Sequence, residues 1–197
     1  MKESIILIGA SGHAKVVKEA AESCGVEVYN VFDDNVTSWL NFEGIGIIPR
    51  NSKLKDSFIV SIGDNSTRKK VVESIIGFPT KVIHSSAIVS PSAIIGRGTC
   101  LMAGGVIQAD SLIGMHCIIN TSATVDHDCI IEDYVHISPN ATLCGGVYVG
   151  EGAHIGAGSV IIPGIKIGKW AIIGAGSVII ENVADGVVVV GNPGRVI

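Results

Sequence analysis

The chain has 197 residues, a hydrophobic fraction of 47% and a formal net charge of −4, which allow one large or two small domains with an ample core. The negative charge and the lack of a basic run argue against a nucleic-acid surface. The five cysteines form no CxxC motif or paired spacing, and the first apolar run, Ile5 to Ala10, is too short for a signal peptide or membrane span. We therefore expect a cytoplasmic protein with small, buried, reduced cysteines.

The first 34 residues read as a strand, a glycine loop, a helix and a second strand that ends in two acids. We predict a buried strand over Ser4–Ile8 and a second strand over Val28–Phe32. Between them lie the loop Gly9–His13 and a helix that ends at Gly25, and Asp33-Asp34 follows the second strand. This order is typical of a βαβ nucleotide-binding unit, in which glycines admit a phosphate and an acid binds the ribose.

A second strand-to-helix turn follows. We predict a strand over Phe58–Ile62, the turn Gly63-Asp64-Asn65 and a helix over Ser66–Ile76. In a parallel sheet both turns open at the carboxyl edge, where ligands bind. Arg68, one turn into this helix, either faces a phosphate or is a solvated helix charge.

The glycine loop is a loose motif, Gly-x-x-Gly-x-Ala, and only about 83 residues precede the next region. That is half of a dinucleotide domain, so a mononucleotide or a nucleotide-sugar fits better than NAD. The alternative is a small βαβ cap whose glycines only make a tight turn.

A strand over Lys81–Ile83 leads into an unbroken repeat. From Ala87 to Asn182 the sequence divides into sixteen blocks of six residues, with small residues common in first position and Gly, Pro, Asn and Asp common in the last three. The third position is always aliphatic: Val89, Ile95, Leu101, Ile107, Ile113, Ile119, Val125, Ile131, Ile137, Leu143, Val149, Ile155, Ile161, Ile167, Ile173 and Ile179. A fixed six-residue period of strand and turn predicts a parallel β-helix, with the tail Val183–Ile197 as its cap.

The repeat resembles that of the left-handed β-helix acyltransferases, in which three hexapeptides make one triangular coil. The resemblance implies about five coils of 18 residues and a left-handed course. The handedness comes from the resemblance alone, because ordinary parallel crossovers are right-handed.

The sharpest departure from small corner residues is Asp126-His127-Asp128. A carboxylate beside an imidazole orients it and strengthens it as a base near neutral pH. The alternatives are a metal site, a cysteine nucleophile such as Cys129, and a surface histidine without a role. For His116 and His154 we expect a surface histidine without a role.

Four motifs narrow the resemblance: Gly9-Ala10-Ser11-Gly12-His13, Ile62-Gly63-Asp64-Asn65, Ile119-Asn120-Thr121 and His127-Asp128-Cys129. In this order they resemble the bacterial nucleotide-sugar N-acetyltransferases. That family includes the enzymes that make UDP-N,N'-diacetylbacillosamine and the GDP-perosamine N-acetyltransferases. The resemblance covers nearly the full chain and implies an acetyl-CoA-dependent enzyme without a metal.

The resemblance also implies roles for individual residues. His127 would be the general base on a sugar amine and Asp128 the carboxylate that raises its basicity. Acetyl-CoA would contact Asn120, His136 and the backbone amides of Ala157 and Ala175. The nucleotide-sugar would contact Ser11, Gly12, His13, Asp33, Asp34, Gly63, Asn65 and Arg68.

From the strands and the resemblance together we expect a nucleotide-sugar domain over residues 1–83, an acetyltransferase β-helix over 84–182 and a cap over 183–197. The expected reaction acetylates the 4-amino group of a nucleotide-linked 4-amino-4,6-dideoxy sugar in a ternary complex, and the expected assembly is a homotrimer. Two alternatives stay open at this point. One is an O-acetyltransferase of the sialic-acid type, and the other is a non-catalytic β-helix scaffold with a nucleotide-sensing domain.

Overall fold

The computed structural model of the chain describes residues 3–35 and 45–197. The N-terminal part forms a four-stranded parallel sheet in the order β2-β1-β3-β4. Its elements are β1 Ser4–Ile8, α1 Gly12–Ser23, β2 Glu27–Phe32, β3 Lys53–Val60, α2 Asn65–Glu73 and β4 Ile76–Pro79.

Several predicted bounds in this part are wrong. Helix α1 begins at Gly12, so Gly12 and His13 lie in its first turn and not in a loop. Strand β3 begins at Lys53 and ends at Val60. Helix α2 ends at Glu73, and Ile76, the predicted last residue of the helix, instead begins an edge strand over Ile76–Pro79. Glycine and proline within this segment disfavour a helix, and the open edge beside β3 supplies hydrogen-bond partners instead.

The rest of the chain is a stack of two-residue strands. The first is β5 Val82–Ile83, and the sixteen strands β6 to β21 occupy the second and third positions of the sixteen blocks. They are Ile88–Val89, Ile94–Ile95, Cys100–Leu101, Val106–Ile107, Leu112–Ile113, Ile118–Ile119, Thr124–Val125, Ile130–Ile131, His136–Ile137, Thr142–Leu143, Tyr148–Val149, His154–Ile155, Val160–Ile161, Lys166–Ile167, Ile172–Ile173 and Val178–Ile179. Strands β22 Val188–Val190 and β23 Arg195–Val196 complete the chain.

From β5 to β18 each strand pairs in parallel with the strand three places later, and β20 pairs with β22, which makes three sheets around a triangular prism. We name the sheets by their strands: face I contains β5, β8, β11, β14, β17, β20, β22 and the antiparallel β23, face II contains β6, β9, β12, β15, β18 and β21, and face III contains β7, β10, β13, β16 and β19. Paired residues from β5 to β21 are 18 positions apart, as in Ile118 with His136 and His136 with His154. The stack is longer than the predicted five coils, because β5 adds a strand before the repeat and β22 adds one after it.

The predicted inward column forms the core of the prism. Third-position residues from Leu101 to Ile179 are buried, and the small first-position residues, such as Cys117 and Cys129, are buried beside them. Burying each such aliphatic side chain contributes about 1.5–3 kcal/mol. The prediction that all cysteines are buried is wrong for Cys24, which is exposed at the end of α1.

The N-terminal sheet and the prism share apolar contacts. Val82, Cys100 and Met102 of face I and the following corner pack in one buried cluster with residues of β1 and α1. The predicted domain limits at residues 83 and 182 stay a prediction, although β5 lies in the sheet of the prism.

Arg68 fastens helix α2 to the prism and is 1% exposed. Its guanidinium donates to the carbonyls of His116 at 2.8 Å and Tyr134 at 2.7 Å on the prism. It also donates to the carbonyls of Ile62 and Gly63 at 3.0 and 3.1 Å, and to the Asn65 side chain at 2.7 Å. Neither predicted alternative describes Arg68, because all its N–H groups bind the protein and none faces solvent or a phosphate.

The Asn65 side chain completes this junction. Its amide nitrogen donates to the carbonyls of Gly152 and Ala153 at 2.9 and 3.1 Å, while its oxygen accepts from Arg68. Asn65 is 7% exposed and its side-chain amide is engaged in these structural bonds, while its expected contact with the substrate stays a prediction. The turn after β3 is therefore held rigidly against the prism.

We expect Arg68→Lys to lower the free energy of unfolding by about 3–5 kcal/mol, because an ammonium cannot replace a planar donor with five N–H groups, and buried carbonyls lose their partners. Urea unfolding at one fixed protein concentration measures this change in the free energy of unfolding. The matched control is Arg195→Lys, since Arg195 is exposed and donates only to the neighbouring Gly194 carbonyl. A loss below about 1 kcal/mol for Arg68→Lys contradicts this role.

Candidate acetyltransferase site

The corners of the prism place two block positions at the surface. The sixth position adopts a left-handed backbone at nearly every corner, including Asp128 with φ 58°. At the fifth position the backbone N–H finds no backbone acceptor, and a side chain accepts from it at five corners of the sixteen blocks. The N–H of Met115, for example, donates to Asp133 at 2.7 Å, and that of Lys169 donates to Asp185 at 2.8 Å.

His127 and Asp128 are the fifth and sixth residues of one corner. Nδ1 of His127 lies 2.7 Å from Oδ2 of Asp128, and the His127 side chain is 59% exposed. The hydrogen bond to Asp128, followed by the charge of Asp126, raises the pKa of His127 above its ordinary value. With Nδ1 donating to the carboxylate, the Nε2 lone pair of the neutral ring is free to take a proton.

Gly145 lies one coil beyond His127, and sequence analysis missed it. A Cβ added at Gly145 would stand 2.6 Å from both Cε1 and Nε2 of His127. The imidazole therefore lies against the glycine backbone, and the missing side chain leaves Nε2 uncovered. The 18-residue period between coils is the sequence signal that identifies this neighbour.

Asn120 and His136 form a second group, between faces I and II. Asn120 Nδ2 lies 3.1 Å from His136 Nε2, and the His136 ring stacks on His154 with centroids 4.8 Å apart. Burial, followed by the charge of His154, lowers the pKa of His136 to about 3. His136 is therefore a neutral hydrogen-bonding group and not a general base.

The expectation of surface histidines without a role is wrong for His116 and His154. His116 is 4% exposed and stacks on Tyr134 with centroids 5.4 Å apart. His154 Nε2 is hydrogen-bonded to the Ser138 hydroxyl at 2.8 Å. Burial first, and the charge of Arg68 second, lower the pKa of both rings, that of His116 to about 4.

His13, in the first turn of α1, reaches the same group from the N-terminal sheet. Its ring centroid lies 6.2 Å from that of His136, and burial, followed by the charge of Arg68, lowers its pKa to about 4. Nε2 of His13 is buried without a hydrogen-bond partner within the described residues, and the His136 ring, whose Nδ1 is also buried, interacts with the Gly63 backbone. Two neutral imidazoles thus lie next to each other beside the glycine loop.

The remaining residues of the predicted nucleotide site border the carboxyl edge of the N-terminal sheet. Ser11 is the N-cap of α1, and its side chain makes no capping hydrogen bond. Asp33 accepts from the N–H of Ala10 at 2.6 Å and so fixes the glycine loop, whereas exposed Asp34 pairs with Arg50. Next to them, Gly12 has open space where a side chain would stand, and a Cβ added at Gly63 would lie 4.0 Å from Cβ of His13.

Ala157 and Ala175 are exposed at the fifth position of successive coils, on the edge that also carries Asn120. Within residues 3–35 and 45–197, no acceptor pairs with their backbone N–H groups or with that of Gly145. Free N–H groups in a row are suited to the carbonyl and phosphate oxygens of an extended ligand.

A single chain does not bring all these groups together. Asn120, Ala157 and Ala175 lie on the edge between faces I and II, whereas His127 lies on the edge between faces II and III. One side of the prism, six residues and at most about 20 Å, separates the two edges. In the described part of the chain no cluster of three His, Cys, Asp or Glu side chains is arranged to hold a metal ion, and none of its helices could span a membrane.

Two family profiles match the chain. The PglD N-terminal domain matches residues 4–75, and the bacterial transferase hexapeptide (six repeats) matches residues 146–181. Among curated proteins, UDP-N-acetylbacillosamine N-acetyltransferase of Bacillus subtilis is 43% identical over 113 residues. That match covers 51% of this chain and 52% of the Bacillus protein. A second match, to an uncharacterised protein of Acanthamoeba polyphaga mimivirus, covers 54% of this chain and 22% of the viral protein.

Solved structures match over the whole length. A variant of perosamine N-acetyltransferase from Caulobacter crescentus with one histidine replaced by asparagine, in complex with CoA and GDP-perosamine, is 39% identical with a TM-score of 0.90. The match covers 98% of this chain and 96% of that one. The acetyltransferase domain of PglB from Neisseria gonorrhoeae, in complex with acetyl coenzyme A, is 36% identical over all of both chains, with a TM-score of 0.90.

These matches confirm the predicted fold, a Rossmann-like α/β domain followed by a left-handed parallel β-helix of hexapeptide repeats. They also confirm the family indicated by the four sequence motifs. The chain belongs to the acetyl-CoA-dependent nucleotide-sugar N-acetyltransferases.

Proposed function

We propose that this protein transfers the acetyl group of acetyl-CoA to the 4-amino group of a nucleotide-linked 4-amino-4,6-dideoxy sugar, with His127 as general base. The observation that carries the proposal is the hydrogen bond between His127 Nδ1 and Asp128, with Nε2 left uncovered against Gly145. The Caulobacter relative binds GDP-perosamine, and the Bacillus relative is a UDP-N-acetylbacillosamine N-acetyltransferase, which supports an amino sugar as acceptor.

In the proposed reaction the sugar amine attacks the thioester carbonyl as its proton passes to Nε2 of His127. A carbon–nitrogen bond forms, the carbon–sulfur bond breaks, and the protonated imidazole returns the proton to the leaving thiolate. The hydrogen bond to Asp128 holds the ring and stabilises its charged form. The chain supplies no acyl-enzyme step in this scheme, because the thiol of Cys129, next to Asp128, is turned into the core and its pKa is raised by burial.

Backbone N–H groups complete the proposed site. That of Gly145 is unpaired in the described chain and belongs to the residue against which the imidazole lies, so we assign it to the tetrahedral oxyanion. The unpaired N–H groups of Ala157 and Ala175 would bind coenzyme A beside Asn120. His136, hydrogen-bonded to Asn120, would contact acetyl-CoA as well, and His13 would contact the nucleotide-sugar.

We propose a homotrimer with coenzyme A between adjacent prisms. Within one chain His127 and Asn120 lie on different edges of the prism, so a neighbouring chain is needed to bring a His127 close to the Asn120 edge. We also propose that residues 1–83 hold the nucleotide, that 84–182 carry transfer and that 183–197 cap the prism. The cysteines, all free thiols, favour a cytoplasmic enzyme.

The proposal is tested by following thiol release from acetyl-CoA with UDP-, GDP- and dTDP-linked 4-amino-4,6-dideoxy sugars, and with sialic acid as a hydroxyl acceptor. We expect release with one amino sugar, and about a 100- to 10,000-fold lower rate for His127→Ala, because the general base is lost. The control is His84→Ala, whose ring bonds only to Ser86. Release with sialic acid alone, coenzyme A binding without any release, or normal turnover by His127→Ala contradicts the proposal.

We expect kcat/KM to fall as the pH drops through the raised pKa of His127, because only the neutral imidazole accepts a proton. Asp128→Asn removes the main cause of that shift, so the acidic limb of the profile should move to lower pH while the plateau rate falls. Asp110→Asn is the matched control, since Asp110 has the same left-handed backbone on the same edge, one coil earlier. If the acidic limb of the kcat/KM profile did not move in Asp128→Asn, a group other than His127 would control the pH dependence.

The trimer is tested by mixing two inactive variants. His127→Ala removes the base, and Gly12→Trp fills the open space at the start of α1. If neighbouring chains share each site, unfolding and refolding an equal mixture should restore about a quarter of wild-type activity, because mixed trimers keep one intact site. Refolding each variant alone should restore none. A mixture that stays inactive, with a trimeric mass, would place the whole site within one chain.

A further inference from the structure

Many corners of the prism are closed by one kind of backbone hydrogen bond. The N–H of the first residue of a block donates to the carbonyl three residues earlier, as from Ala123 to Asn120 at 3.0 Å. The corner that carries His127 is not closed in this way. Within the described residues, no hydrogen bond joins the N–H of Cys129 to the carbonyl of Asp126.

The Ser111 hydroxyl lies between these two groups. Ser111 stands one coil before Cys129 and is fully buried. Its Oγ donates to the carbonyl of Asp126 at 2.6 Å and accepts from the N–H of Cys129 at 3.2 Å. We call this pair of bonds the Ser111 bridge. One hydroxyl thus holds both ends of a three-residue corner whose middle residue is His127.

The bridge belongs to individual corners and not to the repeat as a whole. One coil earlier on the same edge, Ala93 stands in the place of Ser111. In the corner after it, the carbonyl of Gln108 and the N–H of Ser111 have no hydrogen-bond partner within the described residues. Nor does a serine in first position always form a bridge, because the hydroxyl of buried Ser159 donates to the Gly156 carbonyl of its own corner at 2.7 Å.

The rest of the His127 corner is bonded to the coils before and after it. The N–H of Asp128 donates to the carbonyl of Ala109 at 3.0 Å, and the carbonyl of His127 accepts from the N–H of Gly146 at 2.9 Å. The Asp126 carboxylate accepts from the N–H of His127 at 2.8 Å. Together with the bridge, these bonds fix the backbone of the corner along its length.

The position of the imidazole depends on this backbone. Within the described residues the ring of His127 is hydrogen-bonded only to Asp128, which belongs to the same corner. The corner therefore determines where Nε2 lies relative to the rest of the site. A general base must lie within hydrogen-bond reach of the proton that it takes, and a displacement of about 1 Å can cost about 100-fold in rate.

We propose that Ser111 is a positioning residue for the base, and that its hydroxyl holds the corner in the shape that presents Nε2 of His127 to the sugar amine. Ser111 touches neither substrate nor coenzyme, because it is buried beneath the corner. The inference rests on the proposed function and adds to it a residue that acts through the base.

The test removes a bridging hydroxyl at two corners. Ser111→Ala deletes the bridge at the His127 corner. The matched control is Thr99→Val, which deletes an equivalent bridge on another edge. There Oγ1 of Thr99 donates to the carbonyl of Gly114 at 2.8 Å and accepts from the N–H of Cys117 at 3.0 Å. Both substituted residues are buried and stand in first position, so we expect the two variants to lose similar amounts of Tm.

Turnover is measured with acetyl-CoA and the acceptor that the wild type uses among the UDP-, GDP- and dTDP-linked 4-amino-4,6-dideoxy sugars. We expect Ser111→Ala to lower kcat about 10- to 100-fold with an unchanged KM for acetyl-CoA, because the base is displaced. Thr99→Val should keep the wild-type kcat. Ser111→Thr should keep it as well, since Thr99 forms the same two bonds with a threonine hydroxyl.

An equal loss of kcat in Ser111→Ala and Thr99→Val would overturn the inference, because it would reflect lost stability and not a displaced base. A wild-type kcat in Ser111→Ala would overturn it too, as would a Ser111→Thr variant as slow as Ser111→Ala. If His127→Ala is inactive, these outcomes leave the proposed function standing. Normal turnover by His127→Ala, or a wild type without turnover on any acceptor, would overturn the proposed function and this inference with it.

Discussion

The stacking of aliphatic side chains on a single axis is the constraint on which the rest of this structure depends. Each coil buries an aliphatic residue in the third position of each block, and the next coil repeats it 18 residues later in register. A shift by one residue would turn this column outward, so the register is strongly fixed. Every outward position is therefore fixed as well, and a residue placed on a corner has a known neighbour above and below.

This regular register explains how the surface of the prism acquires hydrogen-bond donors. The fifth-position N–H, where the residue is not proline, lacks a backbone acceptor, and side chains such as Asp133 and Asp185 accept from it at some corners. At Gly145, Ala157 and Ala175 no acceptor within the described chain is present, and the same holds for Arg97, Ala103, Ala109, Asp133 and Glu181. The candidate site thus uses donors that the fold produces along every edge, and the position of Gly145 beside His127 and of Ala157 and Ala175 beside Asn120 distinguishes them.

The sequence analysis predicted what is local or periodic. The sixteen blocks, β1 and the His127–Asp128 pair follow from spacing and adjacency alone. The start of β3 was missed because its first residues are polar and mostly exposed, so no alternation marks them. The burial of Arg68 was missed because four of its five partners are backbone carbonyls, two of them on the prism, which no side-chain pattern records. The contacts His127–Gly145 and His136–His154 were within reach of the sequence, since both are 18 residues apart.

Burial sets the protonation of most histidines near the candidate site, and Arg68 adds to its effect. Arg68 itself has a pKa lowered by burial to about 10, which leaves it protonated at neutral pH. Burial is the main cause that lowers the pKa of His13, His116, His136 and His154, and the charge of Arg68 lowers each of them further. These rings therefore stay neutral and suit hydrogen bonding to a polar substrate, whereas His127, beside two carboxylates, has the raised pKa of a base.

The exposure of His127 bears on the assembly as well as on the reaction. In one chain its side chain is 59% exposed, and water screens its interaction with Asp128. Acyl transfer to an amine requires that water be kept from the thioester, so an open corner is a poor reaction site. A neighbouring prism placed over this edge would exclude water, strengthen the His127–Asp128 pair and bring the row His13, His136 and His154 opposite the base. The same contact would then assemble the substrate site and create the low-dielectric surroundings in which the base works, which is why we place the reaction between chains.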